Sequence, residues 1–288
     1  MATVPNIDFH MHSTVSDGTD SPAELLEKVR QTGLDCFALT DHDDIKGCRM
    51  IRTLLRKGDP DFVTGVEFSC KDEEGKYHIL GYGFDPESKP ILSVLETCHR
   101  YRMDKVRGRL ELLEKTFGFT FPEKEIDDLL ALDNPGKPHI GNLMVRYGYA
   151  STKEQAIKEY INKIRYPSCH IRPEDAISSI LAGGGIPILA HPSYGSGDEL
   201  ILGDEMDERI SRLVKFGLRG LETFYSGFTP QIRNEILDFA DRYDLYVTAG
   251  SDYHGANKMV VLGDTGLEDS GSRIGRLTAF LKEVLHES

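Results

Sequence analysis

Seven short apolar runs, most of them rich in β-branched residues, recur along the chain and predict buried β-strands. The runs are Asn6 to His10, Cys36 to Thr40, Phe62 to Glu67, Tyr77 to Gly81, Ile186 to Ala190, Gly220 to Phe224 and Tyr246 to Gly250. Amphipathic helical patterns separate many of them, and such alternation is typical of a parallel sheet. The clearest helix follows Ser21, the predicted N-cap, with Glu24 completing a capping box and Gly33 ending the helix.

The middle of the chain, residues 92–171, has helical periodicity and no convincing strand pattern. Ile91 to Phe117 predicts one long helix or two, and Pro122 to Leu132 and Thr152 to Ile164 predict shorter ones. The Pro- and Gly-rich segment Asn134 to His139 predicts a loop. We therefore expect an α/β barrel domain made of residues 1–91 and 172–288, interrupted by a helical insert domain of residues 92–171.

Composition narrows the class of protein. Of 288 residues, 39% are apolar and 28% charged, which is typical of a soluble globular chain. The net charge of -13 argues against clamping duplex DNA through a broad basic face, although bound metal ions could still hold a phosphate. The start of the chain shows no signal-peptide pattern, and the most apolar stretch, Ile186 to Pro192, is too short to span a membrane. Five scattered cysteines without a CxxC pair favour a reducing cytoplasm.

Histidines and carboxylates are concentrated at or near the ends of the predicted strands, where barrel enzymes build their sites. They are His10, His12, Asp17, His42, Glu67, His78, His191, Asp252 and His254. His10 and His12 point the same way in an extended chain, as do Asp252 and His254. A single buried histidine is more often structural, but this many at strand ends predict a shared metal site. Nitrogen and oxygen ligands without thiolate favour Zn, Mn or Fe.

The motifs Asp8-Phe9-His10-Met11-His12, Ser16-Asp17-Gly18, Thr40-Asp41-His42-Asp43, Gly65-Val66-Glu67, Ala190-His191-Pro192 and Gly250-Ser251-Asp252-Tyr253-His254 resemble those of the polymerase and histidinol phosphatase (PHP) family. They occur in the family's order and at both ends of the chain. The resemblance implies a distorted (β/α)7 TIM-like barrel carrying a trinuclear metal site that hydrolyses phosphate esters.

Position by position, the resemblance implies three sets of ligands. The first metal would take His10, His12, Glu67 and Asp252; the second Asp17, His42 and His254; the third His78, His191 and the bridging Glu67. Some family members have histidine where this chain has Asp17, and a carboxylate is the harder ligand.

Clustered divalent ions would neutralise a phosphate monoester and generate a hydroxide that bridges them and attacks in line. This chemistry needs no protein nucleophile, and the sequence carries neither a GxSxG elbow nor a P-loop. The leaving oxygen still needs a proton or a metal ion, and His191 and His254 are the catalytic candidates for that role.

The long insert and Lys137-Pro138-His139 resemble the branch of the family that acts on nucleoside 3',5'-bisphosphates, nucleotide monophosphates and short RNA 5' ends. Candidate substrate contacts are Arg102, Lys105, Arg109 and His139; the first three share a helical spacing, which equally suits a solvated helix face. Glu222 is interpreted as part of a polar layer inside the barrel mouth. We expect a small phosphorylated partner, neither duplex DNA nor a membrane; the oligomeric state is left open.

Three alternatives remain at the level of sequence. A histidinol-phosphate phosphatase would share the metal motifs, although a small substrate needs no large insert. A non-catalytic PHP binding module would be expected to have lost ligands, whereas all nine candidate positions hold competent ones. A hydrolase of amidohydrolase type would require a metal-bridging lysine after a middle strand, which cannot be placed convincingly.

Overall fold

A computed structural model of the chain describes residues 5–132, 134–167, 169–195, 200–267 and 273–285. The backbone contacts divide it into two units, residues 1–95 with 171–288 and residues 96–170, so the boundary falls within a single helix. The first unit holds a seven-stranded sheet in sequential order: β1 (Ile7–Asp8), β2 (Cys36–Leu39), β3 (Asp61–Lys71), β4 (Lys76–Tyr82), β5 (Ile186–Leu189), β6 (Gly220–Tyr225) and β7 (Tyr246–Gly250).

All seven predicted strands are present, and the α/β barrel fold is confirmed. The sheet closes on itself because the first and last strands continue into paired loops. Phe9 N–H donates to the Ala249 carbonyl at 2.9 Å, and Asp252 N–H donates to the His10 carbonyl at 2.7 Å. The rings of Phe9 and Tyr82 meet edge to face inside, with centroids 5.6 Å apart.

The sheet is not parallel throughout, because β4 runs antiparallel to both of its neighbours. Only four residues, 72–75, connect β3 to β4, and a crossover connection needs a dozen or more. Asp72 accepts hydrogen bonds from the backbone N–H groups of Glu74 and Gly75 and fixes this tight turn. The start of β4, with His78, therefore lies at the same edge as the carboxyl end of β3.

Helices flank the strands of the first unit. They are α1 (Pro22–Thr32), α2 (Lys46–Leu54), α7 (Pro173–Ala182), α8 (Gly203–Lys215), α9 (Pro230–Arg242) and α10 (Gly275–Val284). The predicted boundaries of α1 are confirmed: Ser21 and Glu24 form the capping box, and Gly33 ends the helix with φ 67°.

The second unit is helical, and no strand is formed by its described residues. One long helix, α3 (Lys89–Phe117), enters it and is followed by α4 (Glu123–Leu130), α5 (Lys137–Arg146), α6 (Lys153–Gln155) and a π-helix (Ala156–Ile161). A core of its own includes Val106, Leu110, Ile140 and Met144.

The predicted loop from Asn134 to His139 is wrong at its second half, because α5 already begins at Lys137. Pro138 lies in the first turn of α5, where a missing N–H costs nothing and the fixed φ suits the helix. His139 therefore occupies a helix N-terminus rather than a loop.

Candidate metal centre

Two fully buried carboxylates shape the loops that carry the ligands. Asp8 accepts hydrogen bonds from Ser251 N–H at 2.9 Å and from Gly263 N–H at 2.8 Å, which joins the loops after β1 and β7. Asp41, which follows β2, accepts hydrogen bonds from the backbone N–H and the hydroxyl of Ser13, both at 2.8 Å. It thereby joins the loop after β1 to the loop after β2. Burial raises the pKa of both carboxyl groups despite these hydrogen bonds.

The first cluster consists of His10, His12, Glu67 and Asp252. Glu67 Oε2 lies 3.1 Å from Nε2 of His10 and 3.1 Å from Nε2 of His12. Asp252 Oδ1 lies 3.6 Å and 3.5 Å from the same two nitrogens. Ligands about 2.1 Å from a tetrahedral ion stand roughly 3.4 Å apart, so each of these four nitrogen–oxygen distances suits two ligands of one metal ion.

The second cluster consists of Asp17, His42 and His254. His254 Nε2 lies 3.2 Å from Asp17 Oδ1, and His42 Nε2 lies 3.9 Å from Asp17 Oδ2. The Asp17 side chain is 57% exposed, whereas that of His254 is 5% exposed. This cluster therefore opens towards solvent on the side of Asp17.

The third cluster consists of His78, His191 and Glu67. Glu67 Oε1 lies 2.8 Å from His78 Nδ1 and 3.4 Å from His191 Nε2, and the two nitrogens are 3.2 Å apart. Glu67 thus turns one oxygen to the first cluster and the other to the third, the arrangement that a bridging carboxylate requires.

The chemistry of the buried atoms fits divalent metal ions. Nε2 of His10 and Nε2 of His12 are buried, and neither makes a hydrogen bond of normal geometry among the described residues. Buried polar atoms without partners are costly unless something else satisfies them. Three overlapping groups of side chains, which cut across the three clusters, have ligand atoms close enough for one ion each: His12, Asp17, His42 and His254; His10, His12 and Glu67; and His42, Glu67 and His78.

The electrostatics of the centre keep its carboxylates ionised. Burial alone would raise the pKa of Glu67, but the imidazoles of His42 and His10 hold it well below its usual range. Burial lowers the pKa of His42 to about 3, so this ring is neutral and able to coordinate. For His12, burial is outweighed by Asp252 and Glu67, which raise its pKa to about 9. Protons therefore compete with metal at His12.

Three non-glycine residues of the centre have left-handed backbone conformations: Asp43 (φ 55°), His191 (φ 27°) and Asp252 (φ 59°). Such strain costs about 1–3 kcal/mol each and is concentrated at functional sites. These conformations occur in the loops that bring His191 and Asp252 to the clusters.

The four candidate substrate contacts lie in the second unit, where they have different surroundings. Arg102 donates to Asn134 Oδ1. Arg109 is partly buried and pairs with no carboxylate among the described residues. Burial lowers the pKa of Lys137, and the positive charge of Arg109 lowers it further. The structure thus brings Arg109 close to Lys137. Lys105 has partners of its own, and His139 is exposed.

Three residues around the clusters were not assigned a role from the sequence. Glu222, interpreted there as a polar layer, is fully buried and contacts both His10 and His191. Tyr225 donates to Asp252 Oδ2 at 2.9 Å, and Lys258 donates to the same oxygen at 2.5 Å. A carboxylate inside the apolar run of β6 was the available signal for Glu222; Tyr225 and Lys258 carried none.

A closed α/β barrel with His and carboxylate clusters at one rim of its strands is typical of metal-dependent hydrolases. Comparison with known families makes the class specific: the family described as "PHP domain" matches residues 8–166. The chain belongs to the PHP family and is a metal-dependent phosphoesterase.

Individual relatives agree with this assignment. The chain is 30% identical over 253 residues to a 5'-3' exoribonuclease of Haemophilus influenzae, covering 86% of this chain and 89% of the relative. It is 29% identical to a 3',5'-nucleoside bisphosphate phosphatase of Chromobacterium violaceum, covering 86% and 87%. A solved structure from Bifidobacterium adolescentis, described as a metal-dependent phosphoesterase, superposes with a TM-score of 0.75 at 27% identity and covers 96% of each chain.

Among the described residues, no helix is long and apolar enough to cross a membrane.

Proposed function

We propose that this protein hydrolyses phosphate monoesters of nucleotides, with a nucleoside 3',5'-bisphosphate, a nucleotide monophosphate or a short RNA 5' end as substrate. The observation that carries the proposal is the first cluster, in which each of two imidazole nitrogens lies 3.1–3.6 Å from each of two carboxylate oxygens. The relative named as a 3',5'-nucleoside bisphosphate phosphatase supports a phosphate monoester of a nucleotide, and the relative named as a 5'-3' exoribonuclease supports an RNA 5' end as substrate.

The three clusters are proposed to hold three divalent ions, with Mn, Zn or Fe favoured by the nitrogen and oxygen donors. When bound, such ions neutralise a phosphate dianion and acidify a water so that it can attack phosphorus. The chain's own part is to fix the ligands before substrate arrives: Glu67 spans two clusters, and Tyr225 and Lys258 hold Asp252 Oδ2 so that Oδ1 faces His10 and His12.

Proton delivery to the leaving oxygen is assigned to His191 or His254, as the sequence suggested. The carbonyl of Asp252 lies 2.9 Å from Nδ1 of His254 and accepts its N–H, so only Nε2 of that ring is turned to the second cluster. His191 turns Nε2 to the third cluster, beside Glu67. Each ring therefore turns Nε2 to the centre. Because one nitrogen cannot hold a metal ion and a proton at the same time, the ring that delivers the proton does not bind metal in that step.

The test is phosphate release from adenosine 3',5'-bisphosphate, a 5'-phosphorylated short RNA and histidinol phosphate, assayed side by side with Mn²⁺. Preference for the bisphosphate or the RNA supports the proposal. Preference for histidinol phosphate refutes the proposed substrate class while leaving the phosphoesterase assignment intact. The same Mn²⁺ concentration is used in all three reactions, so metal occupancy does not differ between them.

We further propose that Arg102, Lys105, Arg109 and His139 bind anionic groups of the substrate. The strongest support is at Arg109 and Lys137, two cations held near each other with burial lowering the pKa of each. Because neither is paired with a carboxylate among the described residues, an incoming phosphate would relieve their repulsion. Lys137 instead donates to the neutral Asn162 side chain at 2.6 Å.

Neutralising this pair should raise KM for the bisphosphate more than it lowers kcat. For Arg109→Met with Lys137→Met we expect KM to rise roughly 10- to 100-fold, since a charge-assisted hydrogen bond contributes about 1.5–3 kcal/mol. Steady-state kinetics would measure this. Arg146→Met is the matched control, because Arg146 lies in α5 with Lys137 but pairs with Glu125 on the surface. An unchanged KM in the double variant would contradict a substrate role for the pair.

A further inference from the structure

The side chain of Glu222 contacts residues of both the first and the third cluster. It lies in β6, is fully buried, and places Oε1 2.8 Å from Nδ1 of His10. Its other oxygen, Oε2, accepts the backbone N–H of His191 at 2.8 Å. His10 belongs to the first cluster and His191 to the third, so one side chain touches both.

The backbone of β7 leaves room for the Glu222 carboxylate beside His10. Gly250 of β7 lies against it, and a Cβ built there would stand 2.5 Å from Glu222 Oε1 and 2.3 Å from the Cβ of His10. The pairing of β6 with β7 also shifts register between Glu222 and Phe224, a β-bulge that re-aims the side chains on either side. The bulge and the glycine together admit Glu222 under the His10 ring.

The contact with His10 decides which nitrogen of that ring is available. A carboxylate can only accept, so the hydrogen of a neutral His10 ring must lie on Nδ1. Nε2 is then left with its lone pair directed at Glu67 and Asp252, 3.1 Å and 3.6 Å away. The contact with His191 holds a backbone N–H at a residue with a strained φ of 27°.

We propose that Glu222 is a positioning residue that fixes the His10 tautomer and the His191 loop, so that the first and third clusters are set for metal by one carboxylate. The inference rests on the ligand assignment of the proposed function. Glu222 touches neither substrate nor the reacting atoms; it acts through His10 and His191. Outer carboxylates of this kind orient a ligating histidine and make its ring a stronger base.

The diagnostic variant is Glu222→Gln, which keeps the size of the side chain. The backbone N–H of His191 cannot become an acceptor, so the glutamine carbonyl oxygen must face it. The glutamine NH2 group then faces His10 Nδ1 and favours the tautomer with hydrogen on Nε2, where that hydrogen obstructs the metal. We expect Mn²⁺ to bind about 10- to 100-fold more weakly. Mn²⁺ alone is titrated into the metal-free full chain, and free Mn²⁺ is followed by electron paramagnetic resonance.

Glu235→Gln is the matched control, because Glu235 also accepts a backbone N–H, that of Gly203, yet contacts no cluster. It should bind Mn²⁺ as the wild type does. A Glu222→Gln chain that unfolds cooperatively and binds Mn²⁺ with wild-type affinity overturns the inference. A wild-type chain that takes up no Mn²⁺ instead refutes the ligand assignment, and with it the proposed function.

A second measurement needs no variant and covers the case in which Glu222→Gln fails to fold. In the zinc-loaded wild type, nitrogen-15 NMR of the imidazole rings reports where each hydrogen lies. We expect a hydrogen on Nδ1 of His10 and none on Nε2. A His10 ring without hydrogen on Nδ1 refutes the positioning role.

Discussion

Glu67→Gln should lower phosphoesterase turnover by roughly 1000-fold, because metal-ion stabilisation of developing charge contributes several kcal/mol and each 1.36 kcal/mol is tenfold in rate. Glu67 turns Oε2 to the first cluster and Oε1 to the third. Glutamine keeps one oxygen and replaces the other with an NH2 group, which cannot coordinate. One cluster therefore loses a ligand, and the side chain also loses the charge that offsets the cations.

The measurement is kcat/KM at saturating Mn²⁺, together with the metal content of the same sample. Glu87→Gln is a suitable control, since Glu87 is exposed and pairs with Arg49 at the surface, away from the clusters. Activity and metal content should fall together in the Glu67 variant. Full turnover with full metal content would contradict a bridging role for Glu67.

Removing the metal should abolish activity and lower the melting temperature. A ligand present at 100 times its Kd stabilises the folded state by about 2.7 kcal/mol. For a chain of this size each kcal/mol is about 2–4 °C, so we expect a drop of roughly 5–10 °C after chelation. Differential scanning calorimetry before and after dialysis against a chelator measures it. Adding Mn²⁺ back should restore both activity and melting temperature; activity that survives complete metal removal would contradict the metal-dependent assignment.

The difference in melting temperature between the metal-loaded and the metal-free protein should widen as pH rises. His12 has a pKa of about 9 in the metal-free fold, above the usual 6.5. Its protonated form therefore stabilises the metal-free protein fully below about pH 6.5, and this contribution is lost as pH rises to 9. Metal must displace that proton, so its apparent affinity increases over the same window. Calorimetry at pH 6.5 and 8.5 tests the sign; a constant difference would contradict it.

The strands and the gathering of the candidate ligands could be predicted because both leave local traces in sequence. An apolar run such as Ile186 to Leu189 is buried whatever its neighbours are, and all four of its residues are buried. Histidines two residues apart after a strand, such as His10 and His12, point to one side by backbone geometry alone. Such features need no knowledge of which strand lies beside which.

Other features could not be predicted from the sequence, chiefly because they depend on contacts between residues that are distant along the chain. The short turn at residues 72–75 makes β4 antiparallel to β3. The alternation of strands and helices elsewhere in the chain predicts parallel strands and gives no sign of this reversal. Glu222 is marked as functional only when β6 lies between β5 and β7 and brings it to His10, 212 residues away. The start of α5 depends on Pro138, a residue that predicts loops and helix first turns equally.

The spacing of the first cluster along the chain also determines when the metal can be acquired. Its donors come from residues 10, 12, 67 and 252, and Asp252 reaches the others only after β7 pairs with the segment that follows β1. Contacts of such sequence separation form late in folding, because the long loop must close first. During synthesis a growing chain exposes the two histidines and Glu67 well before Asp252 leaves the ribosome. An ion arriving early finds three donors and no closed barrel, so tight loading follows completion of the chain. Tight metal binding at this cluster is therefore expected only of a chain whose barrel has closed.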